Sequence, residues 1–549
     1  MMNRFSILSL IFMNAVLISC TFSSQPETQH SSYKDELRYP IVSDSTTTVQ
    51  TIYGRIQGYK DGDIYTFKGI PYAKAERFMP PQFPDKFRGT KVCRIYGPKA
   101  PQTSTTLNWN PGYNDYHFGF QFNLEPVDEK NCLVLNIWTK GLDDKKKRPV
   151  FVWIHGGGFT SGSANDLPCY EGYSLAQKGD IVVVSVNHRL NLLGYIDLRG
   201  LGGAFSESVN LGMQDLIKCL EWIQTNITRF GGDPTNVTIA GQSGGGGKVN
   251  TLLAMPFAQG LYHKAIVQSG SWILHNSDEV GKRLGLKVIE ELGIKNPAPQ
   301  VLSEIPYEKL VKAGERAISK MNRELILKNL PGNISFCPTI DGKYLINPSF
   351  DPEAPDISKQ IPMIIGSNKN EFAYNTNQPI PIDKVKSMLA QKYEATQVNK
   401  FIDAFEQVYP DHNPEDMIYT DLFLRPNVVK QGNAKSAQKA APVYMYFFTW
   451  KPSVNALGAC HGMELPFIFN NISLQREMTG ATPDAYQLAE LMSAAWISFI
   501  KTGNPNITGL PKWEPYTQES GTTMIFDNNC RIVHHHDQPL MQFKTEHPF

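Results

Sequence analysis

Ile181-Val182-Val183-Val184 is a run with no polar break. A strand without a polar face must be covered on both sides, which is what helices do for the strands of a parallel sheet. Comparable runs occur at 133–139, 149–154, 181–186, 237–240, 265–268, 362–366, 443–450 and 524–526. Between them lie segments with helical spacing, such as 212–226, where Met213, Leu216, Ile217, Leu220 and Ile223 recur on one face. The expected fold class is α/β, a central and mostly parallel sheet flanked by helices. The stretches 277–329 and 382–440 are helical and polar with no evident sheet role, and they read as insertions that cap a cleft.

A length of 549 residues would by itself suggest two or more domains. No repeat and no linker follows residue 50, so one large domain over 46–549 is expected. At the N-terminus Arg4 precedes an apolar run, 5–18, that is too short to span a bilayer and reads as an export signal, 1–19. Its end, Leu17-Ile18-Ser19-Cys20, resembles the lipobox of bacterial lipoproteins, in which the cysteine is acylated. That predicts a lipid anchor on Cys20, followed by a polar tether to residue 45, in a protein that is exported to the periplasm or cell surface. A plain secretory signal is the alternative. With 53 basic against 52 acidic residues, the chain lacks the field that attracts nucleic acid or an anionic membrane.

Seven cysteines remain after Cys20, so at least one stays unpaired. Cys93 and Cys132 bracket a Pro- and Asn-rich loop that a disulfide would close in an oxidising compartment. The others read as small buried hydrophobes, Cys219 in its helical pattern most plainly. The sequence has no Cys-x-x-Cys or His-x-x-x-His pair to suggest a structural zinc.

The sharpest local feature is a short strand, 236–240, that runs into Gly241-Gln242-Ser243-Gly244-Gly245 and then an apolar segment, 249–255. A serine between strand and helix sits on a tight, strained turn, and small neighbours such as Gly241 and Gly245 let the chain fold back. Ser243 is therefore the candidate nucleophile, against a plain flexible loop made by the four glycines 244–247. After the strand ending at Ile154 comes His155-Gly156-Gly157-Gly158-Phe159. Bare amides of Gly157 and Gly158, with that of Gly244, are candidates for binding the oxygen that turns negative when a hydroxyl attacks an ester. A phosphate loop would need a Lys-Ser/Thr ending, which is missing.

A serine hydroxyl needs a histidine base steadied by a carboxylate, in the chain order serine, acid, histidine. Of twelve histidines, His461 lies on a loop beyond the strand 443–450, between Gly458 and Gly462. His534, His535 and His536 read as a solvated surface tract, and His155 as a residue that orients the glycine loop. Glu371 lies just past the strand 362–366, where loops deliver catalytic groups to a sheet's carboxyl edge. Asp341 and Asp351 have the right order and weaker placement.

These segments resemble the type-B carboxylesterase/lipase family, which includes cholinesterases and bacterial para-nitrobenzyl esterases. The likeness extends over nearly all of the chain after residue 50, through stretches such as Gly69-Ile70-Pro71-Tyr72-Ala73, Arg77-Phe78, Cys132-Leu133-Val134-Leu135-Asn136, Asn187-His188-Arg189-Leu190 and His461-Gly462-Met463-Glu464-Leu465-Pro466-Phe467. The resemblance implies an α/β-hydrolase fold with Ser243 as nucleophile, Glu371 as acid, His461 as base and Gly157, Gly158 and Gly244 as oxyanion donors. It implies no metal and no organic cofactor. Lys130-Asn131 stands where the family usually has Glu-Asp, so an ion pair to Arg77 is either lost or supplied by Glu129. Ala100 stands in place of the usual partner of Cys132, which leaves Cys93 as the substitute. Gln242 is Glu in cholinesterases, and no tryptophan lies ten residues before Cys132, both of which argue against a choline ester.

A serine carboxylesterase acting on a small-molecule ester through an acyl-enzyme is thus expected. The rivals are an inactive binding module of the same fold and a lipase. Neither substrate nor oligomeric state follows from the sequence. The aromatics Trp109, Tyr113, Tyr116, Phe118, Phe120 and Phe122 either line a gorge or pack.

Overall fold

The unbroken apolar runs become the middle of a sheet. The structure, a computed structural model, describes residues 40–102, 126–271, 274–373, 376 and 378–547. The export signal, Cys20, the tether up to residue 39 and the aromatic stretch 108–123 lie outside the described residues.

In chain order the strands are β1 (Thr48–Gln50), β2 (Arg55–Gln57), β3 (Tyr59–Asp61), β4 (Ile64–Pro71), β5 (Thr90–Val92), β6 (Val134–Thr139), β7 (Arg148–Ile154), β8 (Val182–Val186), β9 (Gly232–Gln242), β10 (Lys264–Gln268), β11 (Met363–Asn368), β12 (Val443–Phe448), β13 (Thr522–Phe526) and β14 (Arg531–His534). Among the described residues β1, β2 and β5 make a small sheet, and the rest one sheet of eleven strands in the order β14-β13-β12-β11-β10-β9-β7-β8-β6-β4-β3. From β8 to β13 every neighbour is parallel. The outer pairs, β8–β6, β6–β4, β4–β3 and β13–β14, are antiparallel.

Successive strand residues point to opposite faces, and here both faces are dry. Val182, Val184 and Val186 enter one core, and Val183 enters the other. Each such side chain contributes roughly 1.5–3 kcal/mol when fully buried. The helix Leu211–Asn226 packs its buried Met213, Leu216, Leu220 and Ile223 into the first of these cores, as its spacing predicts.

Two expectations change. The stretch 382–440 is not all insertion: the helix Leu424–Ala437 packs against β11 and β12, and its Val428 joins the main core. Helices Ile382–Leu389 and Ala395–Val408 do form a small separate core, closed by the C-terminal helix Gln538–Glu546. Second, Cys93 and Cys132 carry free, buried thiols rather than a bridge. The carbonyl of Cys93 accepts from Lys68 N–H on β4, whereas Cys132 precedes Leu133, whose carbonyl accepts from Tyr72 N–H. Lys68 and Tyr72 lie four residues apart along a stretch with an irregularity in the β4–β6 pairing, so the two cysteines are anchored at different points of the chain. A disulfide tolerates Cα atoms only about 7 Å apart.

The ion pair of Arg77 is kept. Its Nε donates to Glu129 Oε1 at 2.6 Å and its Nη2 to Oε2 at 2.5 Å, while Nη1 reaches the carbonyls of Leu302 and Ile305. Glu129 thus takes the role that the Lys130-Asn131 pair cannot.

Candidate active site

Parallel strands all end at the same edge of a sheet, so the loops that follow them converge. β7 leads into His155-Gly156-Gly157-Gly158, β9 into Ser243, β11 into Glu371, and β12 into the loop that carries His461.

Ser243 has φ 56° and ψ −126°, a left-handed backbone that a residue with a Cβ rarely adopts. The turn is held by its N–H, which donates to Gln268 O at 2.8 Å, and is followed by the helix Gly244–Leu252. The helix N-terminus points its unsatisfied amides at the serine. The glycines around it are steric necessities, because a Cβ on Gly241 would lie 2.4 Å from the Gly245 carbonyl carbon.

The three-glycine loop meets this turn directly. A Cβ on Gly244 would lie 2.2 Å from Gly158 O and 2.4 Å from Gly158 Cα, so the two backbones touch. Gly157 has φ 83° and Gly158 φ 62°. Among the described residues no acceptor takes the N–H of Gly157, Gly158 or Gly244. Three amides from two chain segments therefore lie together beside Ser243.

His461 Nδ1 sits 2.5 Å from Glu371 Oε2, and its backbone N–H donates to Glu371 O at 2.8 Å. Glu371 is fully buried, and its other oxygen accepts from Asn368 N–H at 2.8 Å. With Nδ1 facing a carboxylate, the neutral imidazole carries its lone pair on Nε2. That nitrogen lies 3.1 Å from the side-chain amide of Gln242, the neighbour of Ser243, so the basic side of the ring is turned to the serine's segment. Burial lowers the affinity of His461 for a proton, but the charge of Glu371, the hydrogen bond with it and the charges of Glu464 and Asp421 outweigh this, and the pKa ends above the ordinary value. Phe372 covers the ring at a centroid distance of 5.1 Å.

Sequence reasoning passed over two further acids here. Glu464, three residues after His461, is buried and accepts from Asn368 Nδ2 at 2.6 Å and Gln268 Nε2 at 3.1 Å. Burial and the nearby charge of Glu371 push its pKa up to about 7, and the same two causes raise Asp421 to about 7. The His-x-x-Glu spacing was visible; its inward direction was not. The competing acids serve elsewhere: Asp341 accepts from Leu345 N–H in its own turn, and Asp351 pairs with Lys430. His534 is exposed, but His536 turns inward against Phe447 at 5.6 Å, and burial lowers its pKa to about 4, so that tract is not wholly solvated. His155 is buried at the root of the glycine loop, Nδ1 2.9 Å from Gly156 O. Among the described residues no three His, Cys, Asp or Glu side chains cluster as metal ligands do.

Comparison with known proteins gives a consistent set of relatives. The model of the Carboxylesterase family matches residues 45–544. A para-nitrobenzyl esterase of Bacillus subtilis (strain 168) is 33% identical over 496 residues, 88% of this chain and 95% of its own length. A fumonisin B1 esterase of Sphingopyxis macrogoltabida is 29% identical over 86% of this chain and 85% of its own. Among solved structures, an esterase from Clostridium hathewayi described as hydrolysing aliphatic aromatic polyesters superposes with a TM-score of 0.80 at 31% identity, over 93% of this chain and all of that one. A thermophilic PNB esterase superposes at 0.73 with 31% identity, over 91% of this chain and all of that one.

Proposed function

Because the chain belongs to the carboxylesterase family and is a carboxylic ester hydrolase with the α/β-hydrolase fold, we propose that it works through a covalent acyl-enzyme on Ser243. In this reading His461 Nε2 takes the serine proton as Oγ attacks the ester carbonyl. The amides of Gly157, Gly158 and Gly244 bind the oxyanion, and Glu371 steadies the imidazolium. The imidazolium then gives its proton to the leaving alcohol, and water, deprotonated by the same imidazole, releases the acid. The observation that carries the reading is the 2.5 Å contact of His461 with the buried Glu371, on a ring whose other nitrogen faces the residue beside Ser243. Every step uses side chains or amides of this chain, so no metal or organic cofactor enters.

A fluorophosphonate probe tests it. One equivalent of adduct on the peptide containing Ser243, with turnover lost in proportion, is the expected result. Adduct elsewhere, or none on an active enzyme, would reject the serine.

We further propose that residues 1–19 direct export, that Cys20 carries a lipid and that the segment to residue 45 tethers the catalytic domain, 46–549. No helix among the described residues is long and apolar enough to cross a membrane. Cys20→Ala in the producing cell should move the protein from the detergent phase to the aqueous phase in a cloud-point partition. An unchanged distribution would show that Cys20 is not the anchor.

A further inference from the structure

Lys248 has no exposed surface, an uncommon state for a lysine. It lies on the helix Gly244–Leu252, five residues after Ser243. Its Nζ donates to the carbonyl oxygen of His155 at 3.2 Å and lies 5.7 Å from the Phe159 ring. Asp166 is the carboxylate whose charge reaches it. Its charge in turn acts on two histidines, His155 and His188. The His155 ring lies 4.8 Å from that of His188, both are buried, and Lys99 adds its charge to His155. His155 Nε2 and both ring nitrogens of His188 have no hydrogen-bond partner among the described residues. Burying imidazole nitrogens without partners beside an amine costs stability, so this cluster is not explained by stability alone.

What this lysine touches is specific. His155 is the first residue after β7, and its carbonyl is the root of the loop that presents Gly157 and Gly158. Gly244 sits on the helix that carries Lys248. The proposed oxyanion hole is thus built from two segments, and its geometry depends on how the loop is set against the helix. Backbone contact provides one tie, since a Cβ on Gly245 would lie 2.1 Å from Ile154 O and 2.8 Å from His155 O. The Lys248 hydrogen bond is the second, one turn further along the helix.

We propose that Lys248 is a positioning residue for the oxyanion hole: its amine holds the His155 carbonyl and so sets the amides of Gly157 and Gly158 against that of Gly244. This rests on the oxyanion role assigned to those three amides above. Amides aimed at a developing charge lose much of their effect when displaced by a fraction of an ångström. Burial, partly offset by Asp166, lowers the Lys248 pKa to about 7. The folded protein therefore binds that proton less readily than the unfolded chain. The resulting penalty is full below pH 7 and fades as pH rises toward the ordinary lysine value.

The test uses the full chain with Lys248→Met, which keeps most of the side-chain length and removes the donor. On p-nitrophenyl acetate kcat is expected to fall about tenfold or more with KM within twofold. Affinity for a trifluoromethyl ketone, which closes on a serine as a tetrahedral oxyanion, should fall by the same factor. The unfolding midpoint should rise, and rise more at pH 6 than at pH 9. Unchanged kcat and ketone affinity would overturn the proposal. So would a loss of kcat accompanied by a higher KM and a lower midpoint, the mark of general loosening. Ser243→Ala run in parallel separates the two levels: if it still turns over, the serine mechanism and the role of Lys248 fall together. If it is dead while Lys248→Met is fully active, only the role of Lys248 falls.

Discussion

Ser243→Ala is expected to lower kcat on a short-chain aryl ester by on the order of 10⁶-fold, with KM changed only a few-fold. The substitution removes the one atom proposed to form the acyl bond and little else. The turn is held by the backbone N–H of residue 243 on Gln268 O, and alanine meets the same φ of 56° that serine already tolerates. The unfolding midpoint should therefore stay within a few degrees. A residue of catalysis, on the order of 10³–10⁴ over water, is expected from the amides and from binding alone. Substantial turnover with an intact fold would place the nucleophile elsewhere.

Glu371→Gln is expected to cost about 10⁴-fold in kcat, although the side chains have nearly the same shape. The carboxylate accepts twice, from Asn368 N–H on one oxygen and at His461 Nδ1 on the other. An amide cannot accept at both places. Keeping its oxygen on Asn368 turns its NH₂ toward Nδ1, which favours the tautomer with hydrogen on Nε2, the wrong side for taking the serine proton. The pH profile carries a second signature. Glu371 is the strongest of the groups that raise the His461 pKa against the lowering effect of burial, so its neutralisation moves that pKa down. A base with a lower pKa is free at lower pH, and the acidic limb of residual kcat/KM should shift that way. A loss under about tenfold, with the limb in place, would mean that Asp421 or Glu464 is the effective acid.

What could be read from the residues follows from how local their causes are. β8 was legible because four apolar residues in a row leave a strand no solvent face, and the strand–turn–helix at Ser243 because its turn needs glycines within two positions on either side. The short outer strands were not. β14 contains Arg531 and His534, looks polar, and exists because β13 offers it an antiparallel edge. The missing bridge of Cys93 and Cys132 depends on the offset between Lys68 on β4 and Tyr72 just past its end, which cysteine spacing does not encode. Lys248 reads as the polar start of an apolar segment, and only the packing of helix on loop turns it inward. Glu464 escaped for the same reason, because its partners Asn368 and Gln268 come from two other strands.

The distance in sequence between the site's parts bears on when it can exist. Gln242 and His461, 3.1 Å apart, are separated by 219 positions, and the strands that carry the site form consecutive parallel pairs rather than hairpins. Closing such long loops is slow, and little rewards it until neighbouring strands dock. A ribosome that has released the Ser243 turn still has to deliver more than two hundred residues before the imidazole arrives. Under the proposed mechanism, hydrolytic competence is therefore a late property of the newly made chain, acquired with the completed sheet.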